Sequence, residues 1–258
     1  MTAVLVTASL APMMREPSPR AEIVSQILSG ETGAVEAEQG DWLRIVRSQD
    51  QYQGWVHRGY VRVTSPDEAE RWREKATHRS QGARLRGQEG EIIALALLAR
   101  VAPVGDRWQL ASGWLGQIAD GSVSPEQTMV RETGTNRPLD WAKEHFYGSP
   151  YLWGGITPWG VDCSGLVQTT FAARGRSLPR DAADQANCGL PVSLDQIQSG
   201  DLVFFSESGQ RITHVAFAGD DETLVHSTLA CGGFTVESWR PGSRAARLKE
   251  QLVLARRI

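Results

Sequence analysis

The stretch of residues 151–165 constrains this chain more than any other, because it crowds glycines, aromatic residues and a cysteine into one short segment. It reads Tyr-Leu-Trp-Gly-Gly-Ile-Thr-Pro-Trp-Gly-Val-Asp-Cys-Ser-Gly. Residues 166–174 then carry apolar side chains at helical spacing, and Gly175 is a typical helix stop. The pattern predicts a sharply turning loop that enters a helix with one buried face, with Cys163 in the first turn of that helix.

A cysteine at the start of a helix is a candidate nucleophile. The thiolate is the nucleophilic form of cysteine, and the positive end of the helix dipole is expected to lower the pKa of a thiol placed there. A neighbouring histidine would complete the activation. The competing interpretation is that Cys163 is a small buried residue, which is the usual environment of a free cysteine, and this segment alone leaves both open.

Composition narrows the classes of function. The formal net charge of −3 and the lack of a basic stripe argue against nucleic-acid binding. No apolar run approaches the length of a membrane span, so no membrane partner is expected. The three cysteines, Cys163, Cys188 and Cys231, form neither a disulfide framework nor paired metal-ligand motifs. We therefore expect no metal, no other cofactor and a reducing compartment, and we expect a monomer.

Residues 1–11 resemble a signal peptide only superficially. Their apolar run is short and broken by threonine and serine, and no basic residue precedes it. We therefore predict a first β-strand here and a cytoplasmic location, with export as the expectation if the natural chain is longer at this end.

Residues 1–130 predict two small β domains. Residues 1–64 contain short strands with turn residues between them, which is typical of a small barrel. Residues 65–82 begin with acids in a first helical turn and predict a connecting helix that Gly82 ends. In residues 83–130 the strand pattern returns, and two short motifs repeat motifs of the first segment in the same order, which predicts a degenerate second barrel. The apolar run at 92–99 is compatible with helix or strand.

From residue 131 to residue 258 the pattern changes to helices followed by strands. Residues 136–146 indicate a helix that leads into the 151–165 loop. Strands are indicated afterwards at residues 201–205, 214–218 and 223–228. Helices first and an antiparallel sheet afterwards predict an α+β domain.

Two histidines fall on two of these strands. If the strands form a hairpin with an odd loop, such as residues 219–223, Ala216 pairs with His226 and His214 becomes a diagonal neighbour of His226 on one face. An even loop would place the two rings on opposite faces. Together with Cys163 they would form a nucleophile, a base and a residue that orients the base. The alternatives are two core histidines or a metal site, although further ligands at zinc spacing are lacking.

Five motifs follow one another along the second half of the chain. They are residues 151–155 (Tyr-Leu-Trp-Gly-Gly), 162–166 (Asp-Cys-Ser-Gly-Leu), 178–181 (Leu-Pro-Arg-Asp), 200–205 (Gly-Asp-Leu-Val-Phe-Phe) and 213–215 (Thr-His-Val). In this order they resemble the NlpC family of bacterial cell-wall cysteine peptidases. The resemblance implies a papain-like fold, preceded here by two barrels that resemble bacterial SH3-type domains. It also implies that Cys163 is the nucleophile, His214 the base and His226 the third member, with Tyr151 at the oxyanion site.

The two-barrel layout resembles the cytoplasmic members of the family, the γ-D-glutamyl-L-diamino acid endopeptidases. Those enzymes hydrolyse the bond between γ-D-Glu and diaminopimelate or lysine in murein stem peptides that have a free N-terminal L-Ala. The resemblance implies the same partner and a role in murein peptide recycling. The choice between diaminopimelate and lysine stays open.

Matching positions also imply which residues bind the substrate. Tyr52 and Asp162 are expected to contact the free amine, with Ser164 lining the pocket. A glutamate of the first barrel should join them, with Glu22 as the first choice and Glu31 as the second. Asp162 is also expected to cap the Cys163 helix, which is worth about 1 kcal/mol.

The Arg180-Asp181 pair is expected to be structural, with a ligand role for Asp181 left open. Family members often have serine after this pair, whereas this chain has Ala182, so one hydrogen bond to the substrate is expected to be missing or replaced.

Three other functions compete with a recycling peptidase. An exported peptidoglycan hydrolase or autolysin would use its barrels to bind cell wall. An inactive wall-binding module would keep the fold without the chemistry, although the complete set of Cys163, His214 and His226 argues against this. An acyltransferase would share the acyl-enzyme step.

Overall fold

The computed structural model describes residues 2–258, which divide into two units, Met1–Arg131 and Glu132–Ile258. The first unit begins with a seven-stranded antiparallel sheet, in the spatial order β3-β2-β6-β5-β4-β1-β7. Its strands are β1 (Thr2–Val6), β2 (Leu10–Met14), β3 (Ile23–Leu28), β4 (Thr32–Gln39), β5 (Trp42–Arg47), β6 (Gln53–His57) and β7 (Val61–Thr64). In β5, Leu43 and Ile45 are buried and Arg44 between them is exposed, as the alternation of a half-buried strand requires.

This first sheet encloses its core without closing into a barrel. The core side chains come from most of its strands, and they are Val4, Val6, Ala11, Met13, Ile27, Leu43, Ile45, Val56 and Val61. Strands β3 and β7 end the spatial order, and within residues 2–258 no ladder joins them. The prediction of a closed barrel was therefore wrong. Because β1 pairs with both β4 and β7, and β2 with both β3 and β6, the sheet covers its core before its edges meet.

Helix α1 (Pro66–Lys75) follows the first sheet, as predicted. The side chain of Ser65 caps it by accepting a hydrogen bond from the backbone N–H of Glu68, and proline occupies the first turn. The helix ends at Lys75 rather than near Gly82, because the chain enters strand β8 (His78–Ser80) shortly afterwards.

A second seven-stranded sheet repeats the first strand for strand. After β8 come β9 (Arg84–Arg86), β10 (Ile92–Ala94), β11 (Arg100–Val104), β12 (Arg107–Gln109), β13 (Leu115–Asp120) and β14 (Val123–Pro125). The spatial order is β10-β9-β13-β12-β11-β8-β14, which is the order of the first sheet shifted by seven strands. The repeated strand pattern is confirmed, again as an open sheet, but the sheet begins at His78, inside the predicted linker of residues 65–82. The ambiguous run at 92–99 contributes strand β10 and a turn, not a helix.

The second unit is α+β, as predicted. Its helices are α2 (Glu126–Thr135), within which the unit boundary falls, α3 (Pro138–Phe146), α4 (Cys163–Ala172) and α5 (Ala182–Gln185). A small hairpin joins β15 (Ile156–Thr157) to β16 (Gly160–Val161). The main antiparallel sheet has the order β17-β22-β18-β19-β20-β21. Its strands are β17 (Leu190–Val192), β18 (Leu202–Phe205), β19 (His214–Ala218), β20 (Thr223–Thr228), β21 (Gly233–Ser238) and β22 (Leu252–Arg257).

Helix α4 is buried from Cys163 to Phe171, not only along one face. It packs against α3 and against β19 and β20. A helix surrounded by protein must satisfy its polar side chains internally. Accordingly, Thr169 Oγ1 donates to the carbonyl of Ile156 at 2.8 Å, and Gln168 Nε2 donates to the carbonyl of Leu178 at 3.0 Å. Nowhere in residues 2–258 does a helix have both the length and the apolar character that a membrane crossing demands.

Candidate active site

Cys163 is the first residue of α4, as predicted, and the loop before it touches the helix backbone closely. The carboxylate of Asp162 caps the helix by accepting a hydrogen bond from the N–H of Gly165 at 2.7 Å. A Cβ atom at Gly165 would lie 2.1 Å from the carbonyl oxygen of Gly155, so a larger residue would push the loop away. The glycines of this segment therefore allow the tight approach that holds Cys163 at the helix start.

The carboxylate of Asp162 is buried and has several partners within the second unit. The N–H of Gly154 donates to it at 2.8 Å. Arg180 donates two hydrogen bonds to this carboxylate, from Nη1 to Oδ1 at 3.1 Å and from Nη2 to Oδ2 at 2.6 Å. Ser164 Oγ donates to Oδ1 at 3.3 Å and accepts from Arg180 Nη1 at 2.8 Å. Asp162 and Ser164 are thus members of one buried network that fixes the start of α4.

The hairpin that carries the two histidines has the predicted register. Phe217 pairs with Val225 and Ala218 with Leu224, so the loop between the strands is odd. The two rings consequently meet on one face, with His214 Nε2 and His226 Nδ1 2.7 Å apart. The prediction that these histidines are neighbours is confirmed.

The thiol of Cys163 lies beside the start of β19. The backbone N–H of Val215, the residue after His214, is within hydrogen-bonding reach of the sulfur. Tyr151 also belongs to this cluster. Burial raises the pKa of its hydroxyl, and the negative charge of a Cys163 thiolate raises it further, which places the hydroxyl near the sulfur. The structure therefore gathers Cys163, His214, His226 and Tyr151 at one end of α4.

The electrostatic setting of the thiol differs from the one predicted. Burial raises the pKa of Cys163, and the negative charge of Asp162 raises it further. The backbone N–H groups of Val215 and Ser164 and the charge of Arg180 act in the opposite direction, but they are outweighed. The prediction of a lowered thiol pKa was wrong, because burial disfavours the thiolate and the charge of Asp162 adds to this effect.

His214 is also held in its neutral form. Burial and then the charge of His226 lower its pKa to about 3, against an opposing effect of Glu237. As a residue, His214 is half-buried. Burial therefore disfavours the charged form of both the Cys163 thiol and the His214 imidazole in the free protein.

A pH prediction follows from the lowered pKa of His214. A base that must be unprotonated loses activity as the pH falls through its pKa, so kcat/KM should stay level from about pH 7 to about pH 5, where an ordinary histidine would already be protonated. Steady-state kinetics across this range would check it, and half-maximal kcat/KM near pH 6.5 would contradict it.

The pH–rate experiment needs a separate measurement of folding, because acid can also unfold the protein. A histidine whose pKa is lowered in the folded protein takes up its proton more readily when unfolded, so its contribution to stability is present above pH 6.5 and is lost as the pH falls. Circular dichroism at each pH would separate unfolding from protonation of the base.

Two polar residues behind His226 were not predicted. Glu237 on β21 accepts from His226 Nε2, with the two atoms 2.8 Å apart, and Arg244 pairs with Glu237 in turn. Glu237 lies only one strand beyond His226, so the alternating pattern of residues 233–238 was a usable signal. The register between β20 and β21 depends on the length of the turn at residues 229–232, and the sequence does not mark where this turn begins and ends.

Four other residues proposed for substrate binding have defined surroundings. In the first unit, Tyr52 packs against the core of the first sheet, Glu22 is ion-paired with Arg15 at the surface, and Glu31 is buried against Arg47. In the second unit, Asp181 is exposed and precedes α5. Arg180 is ion-paired with Asp162, whose buried carboxylate requires a counter-charge. The binding roles of these residues stay predictions.

Among residues 2–258, no cluster of three or more His, Cys, Asp or Glu side chains has the arrangement needed to hold a metal ion. The residues gathered at Cys163 are those predicted as a nucleophile, a base and a residue that orients the base, a set that is suited to acyl transfer.

Comparison with known proteins gives matches over most of the chain. Residues 148–252 match the NlpC/P60 family, and residues 15–62 match the bacterial SH3 domain. A γ-D-glutamyl-L-lysine dipeptidyl-peptidase of Bacillus subtilis (strain 168) is 33% identical over 219 residues, which cover 80% of this chain and 72% of that protein. Dipeptidyl-peptidase 6 of Lysinibacillus sphaericus is 29% identical, over 91% of this chain and 90% of that protein.

A solved structure is also similar. The crystal structure of an NlpC/P60 family protein from Bacillus cereus ATCC 10987 matches with a TM-score of 0.82 at 20% identity, over 99% of each chain. At this identity the likeness concerns the fold alone.

Proposed function

Because the chain belongs to the NlpC/P60 family and is a cysteine peptidase, we propose that it hydrolyses the bond between γ-D-glutamate and a diamino acid in murein peptides with a free N-terminal L-alanine. The diamino acid is lysine or diaminopimelate. We propose murein peptide recycling in the cytoplasm as its role.

The observation that carries the chemical part of the proposal is the cluster at the start of α4. The thiol of Cys163 lies against β19 beside His214, and His214 is hydrogen-bonded to His226 at 2.7 Å. In the proposed reaction, the sulfur attacks the γ-glutamyl carbonyl while His214 takes the thiol proton. His214 then gives this proton to the departing amine of the diamino acid, and a thioester remains on Cys163.

Hydrolysis of the thioester completes the cycle. His214 takes a proton from a water molecule, the resulting hydroxide attacks the thioester carbonyl, and the proton returns to the sulfur as the acid product leaves. The backbone N–H of Cys163 is suited to stabilise the oxyanion in both steps. Tyr151 is suited to assist, because its raised pKa keeps the hydroxyl protonated and able to donate.

Recognition of the free amine is the finest part of the proposal. Within the second unit it assigns an amine contact to Asp162 and a place in the pocket to Ser164, on the basis of motif positions. The ion pair of Asp162 with Arg180 supports a fixed carboxylate whose charge is already partly balanced, which would favour hydrogen bonding to the amine over a full ion pair. Ala182, the first residue of α5, cannot make the hydrogen bond to the substrate that a serine at this position would make, so another group would have to make it.

A pair of peptides tests the proposal. L-Ala-γ-D-Glu-diaminopimelate and its N-acetylated form would be incubated with the protein and the products identified by mass spectrometry. We expect a dipeptide and a free diamino acid from the first peptide and no cleavage of the second, because acetylation removes the charge and the donors of the amine.

The outcomes separate the parts of the proposal. Equal cleavage of both peptides would contradict amine recognition while leaving the peptidase activity intact. Efficient digestion of intact sacculi would instead favour an exported wall hydrolase. The lysine peptide, run beside the diaminopimelate peptide, identifies the preferred diamino acid.

A further inference from the structure

Three neighbouring strands carry polar side chains that lie in a row behind the nucleophile. His214 is on β19, His226 on β20 and Glu237 on β21. In the register of β20 and β21, His226 pairs with Thr235 and Leu224 pairs with Glu237, so His226 and Glu237 are diagonal neighbours on one face. The row is continuous, because His214 and His226 are 2.7 Å apart and His226 and Glu237 are 2.8 Å apart.

Arg244 holds the far end of this row. It belongs to the short 3-10 helix Arg244–Lys249, and its Nε donates to Glu237 Oε2 at 3.0 Å while its Nη2 donates to Glu237 Oε1. Although burial raises the pKa of Glu237, the hydrogen bonds from His226 and Arg244 outweigh it and leave the pKa below its usual value. Glu237 is therefore a carboxylate, which accepts hydrogen bonds and has none to donate.

Because the Glu237 carboxylate can only accept hydrogen bonds, it sets the direction of every hydrogen bond in the row. His226 must donate to Glu237 through Nε2. In a neutral His226 the other nitrogen, Nδ1, is then an acceptor, so His214 donates to it through Nε2. In a neutral His214 this leaves Nδ1 without a proton, and Nδ1 is the ring nitrogen that is free to take the proton of the thiol.

We infer that Glu237, held by Arg244, is a positioning residue that keeps both histidines in the Nε2–H tautomer and so leaves His214 Nδ1 free as the base. The inference rests on the proposed function for its kinetic consequence. The tautomer itself does not depend on which peptide is cleaved.

The tautomers are the direct test. The chain has five histidines, few enough to assign in ¹⁵N-histidine-labelled protein from the spectra of His214→Gln and His226→Gln. Two-bond ¹H–¹⁵N correlation spectra distinguish Nε2–H from Nδ1–H rings. In the wild-type protein we expect both rings as Nε2–H, with the His226 proton shifted downfield by its bond to the carboxylate. A wild-type His214 in the Nδ1–H form would overturn the inference, even if no variant of Glu237 folds.

Replacement of Glu237 tests the cause. Glu237→Met keeps the length of the side chain but removes the acceptor, so we expect a mixture of tautomers at His226 and a fall in kcat by about ten- to a hundred-fold, the usual cost of losing a partner that orients a reactive group. KM should change by less than about two-fold, because ground-state binding of the peptide is not involved. Glu237→Gln keeps an oxygen that Arg244 can turn toward His226, and it should retain the wild-type tautomers and most of the turnover.

Glu222→Met is the matched control. Glu222 is an exposed carboxylate in the turn between β19 and β20, ion-paired with Lys249, and its loss should leave kcat and both tautomers unchanged. Unchanged tautomers in Glu237→Met, or equal losses of kcat in Glu237→Met and Glu237→Gln, would overturn the inference. If the wild-type protein cleaves no murein peptide, the proposed function fails, and the tautomer spectra still decide the role of Glu237.

Discussion

Replacing Cys163 with alanine is expected to lower the turnover of L-Ala-γ-D-Glu-diaminopimelate by about 10⁴-fold or more, because no other group in the cluster can form the acyl intermediate. The buried thiol carries no charge in the free protein, so its loss should leave the fold nearly unchanged. Release of the diamino acid, measured by mass spectrometry over long incubations, would give the rate, and thermal melting would give the stability.

Cys188→Ala is the matched control for this loss. Cys188 is also a free cysteine of the second unit, but it follows α5 and lies outside the cluster, so its removal should leave turnover unchanged. Cys163→Ser adds a second comparison, since a hydroxyl of nearly the same shape should bind peptide but acylate far more slowly. Turnover by Cys163→Ala within ten-fold of the wild type would exclude Cys163 as the nucleophile.

The parts of the site that local patterns encode were predicted correctly. Glycines and aromatic residues before Cys163 predicted a tight loop and a helix start, since these features depend on neighbours in the sequence. The contact between His214 and His226 followed from one further condition, the odd loop at 219–223, because loop parity decides which face of a sheet a side chain occupies.

Features that depend on distant residues were missed. The thiol pKa was predicted to fall, but burial raises it, and burial depends on how the whole unit packs around α4; the charge of the adjacent Asp162 raises it further. The partner of Asp162 is Arg180, which is distant in sequence, and Glu237 reaches His226 only through the register of β21. The prediction of barrels in the N-terminal segment failed for the same reason. Whether the two edge strands of a sheet pair with each other depends on the curvature of the complete sheet and not on the sequence pattern of any one strand.

The buried pair of Arg180 and Asp162 leads to the second large prediction. Arg180→Met removes the cation and leaves a buried carboxylate with only its hydrogen-bond donors, which costs about 3–5 kcal/mol in proteins generally. We expect the melting temperature to fall by on the order of 10 °C and peptide turnover to fall with it, because Asp162 fixes the start of α4. Chemical denaturation of the full chain, followed by circular dichroism, would measure the loss.

Two further variants show whether burial is the reason. Arg137→Met removes a two-bond pair with Asp220 at the surface of the same unit, where water screens the charges, so its effect on stability should be far smaller. Adding Asp162→Asn to Arg180→Met removes the orphaned charge but keeps a helix cap, and should recover part of the loss, so the two changes should not be additive. Equal losses of stability in Arg180→Met and Arg137→Met would mean that the buried pair stabilises the protein no more than the surface pair does. The start of α4 would then be held by the glycine contacts and backbone hydrogen bonds of the loop alone.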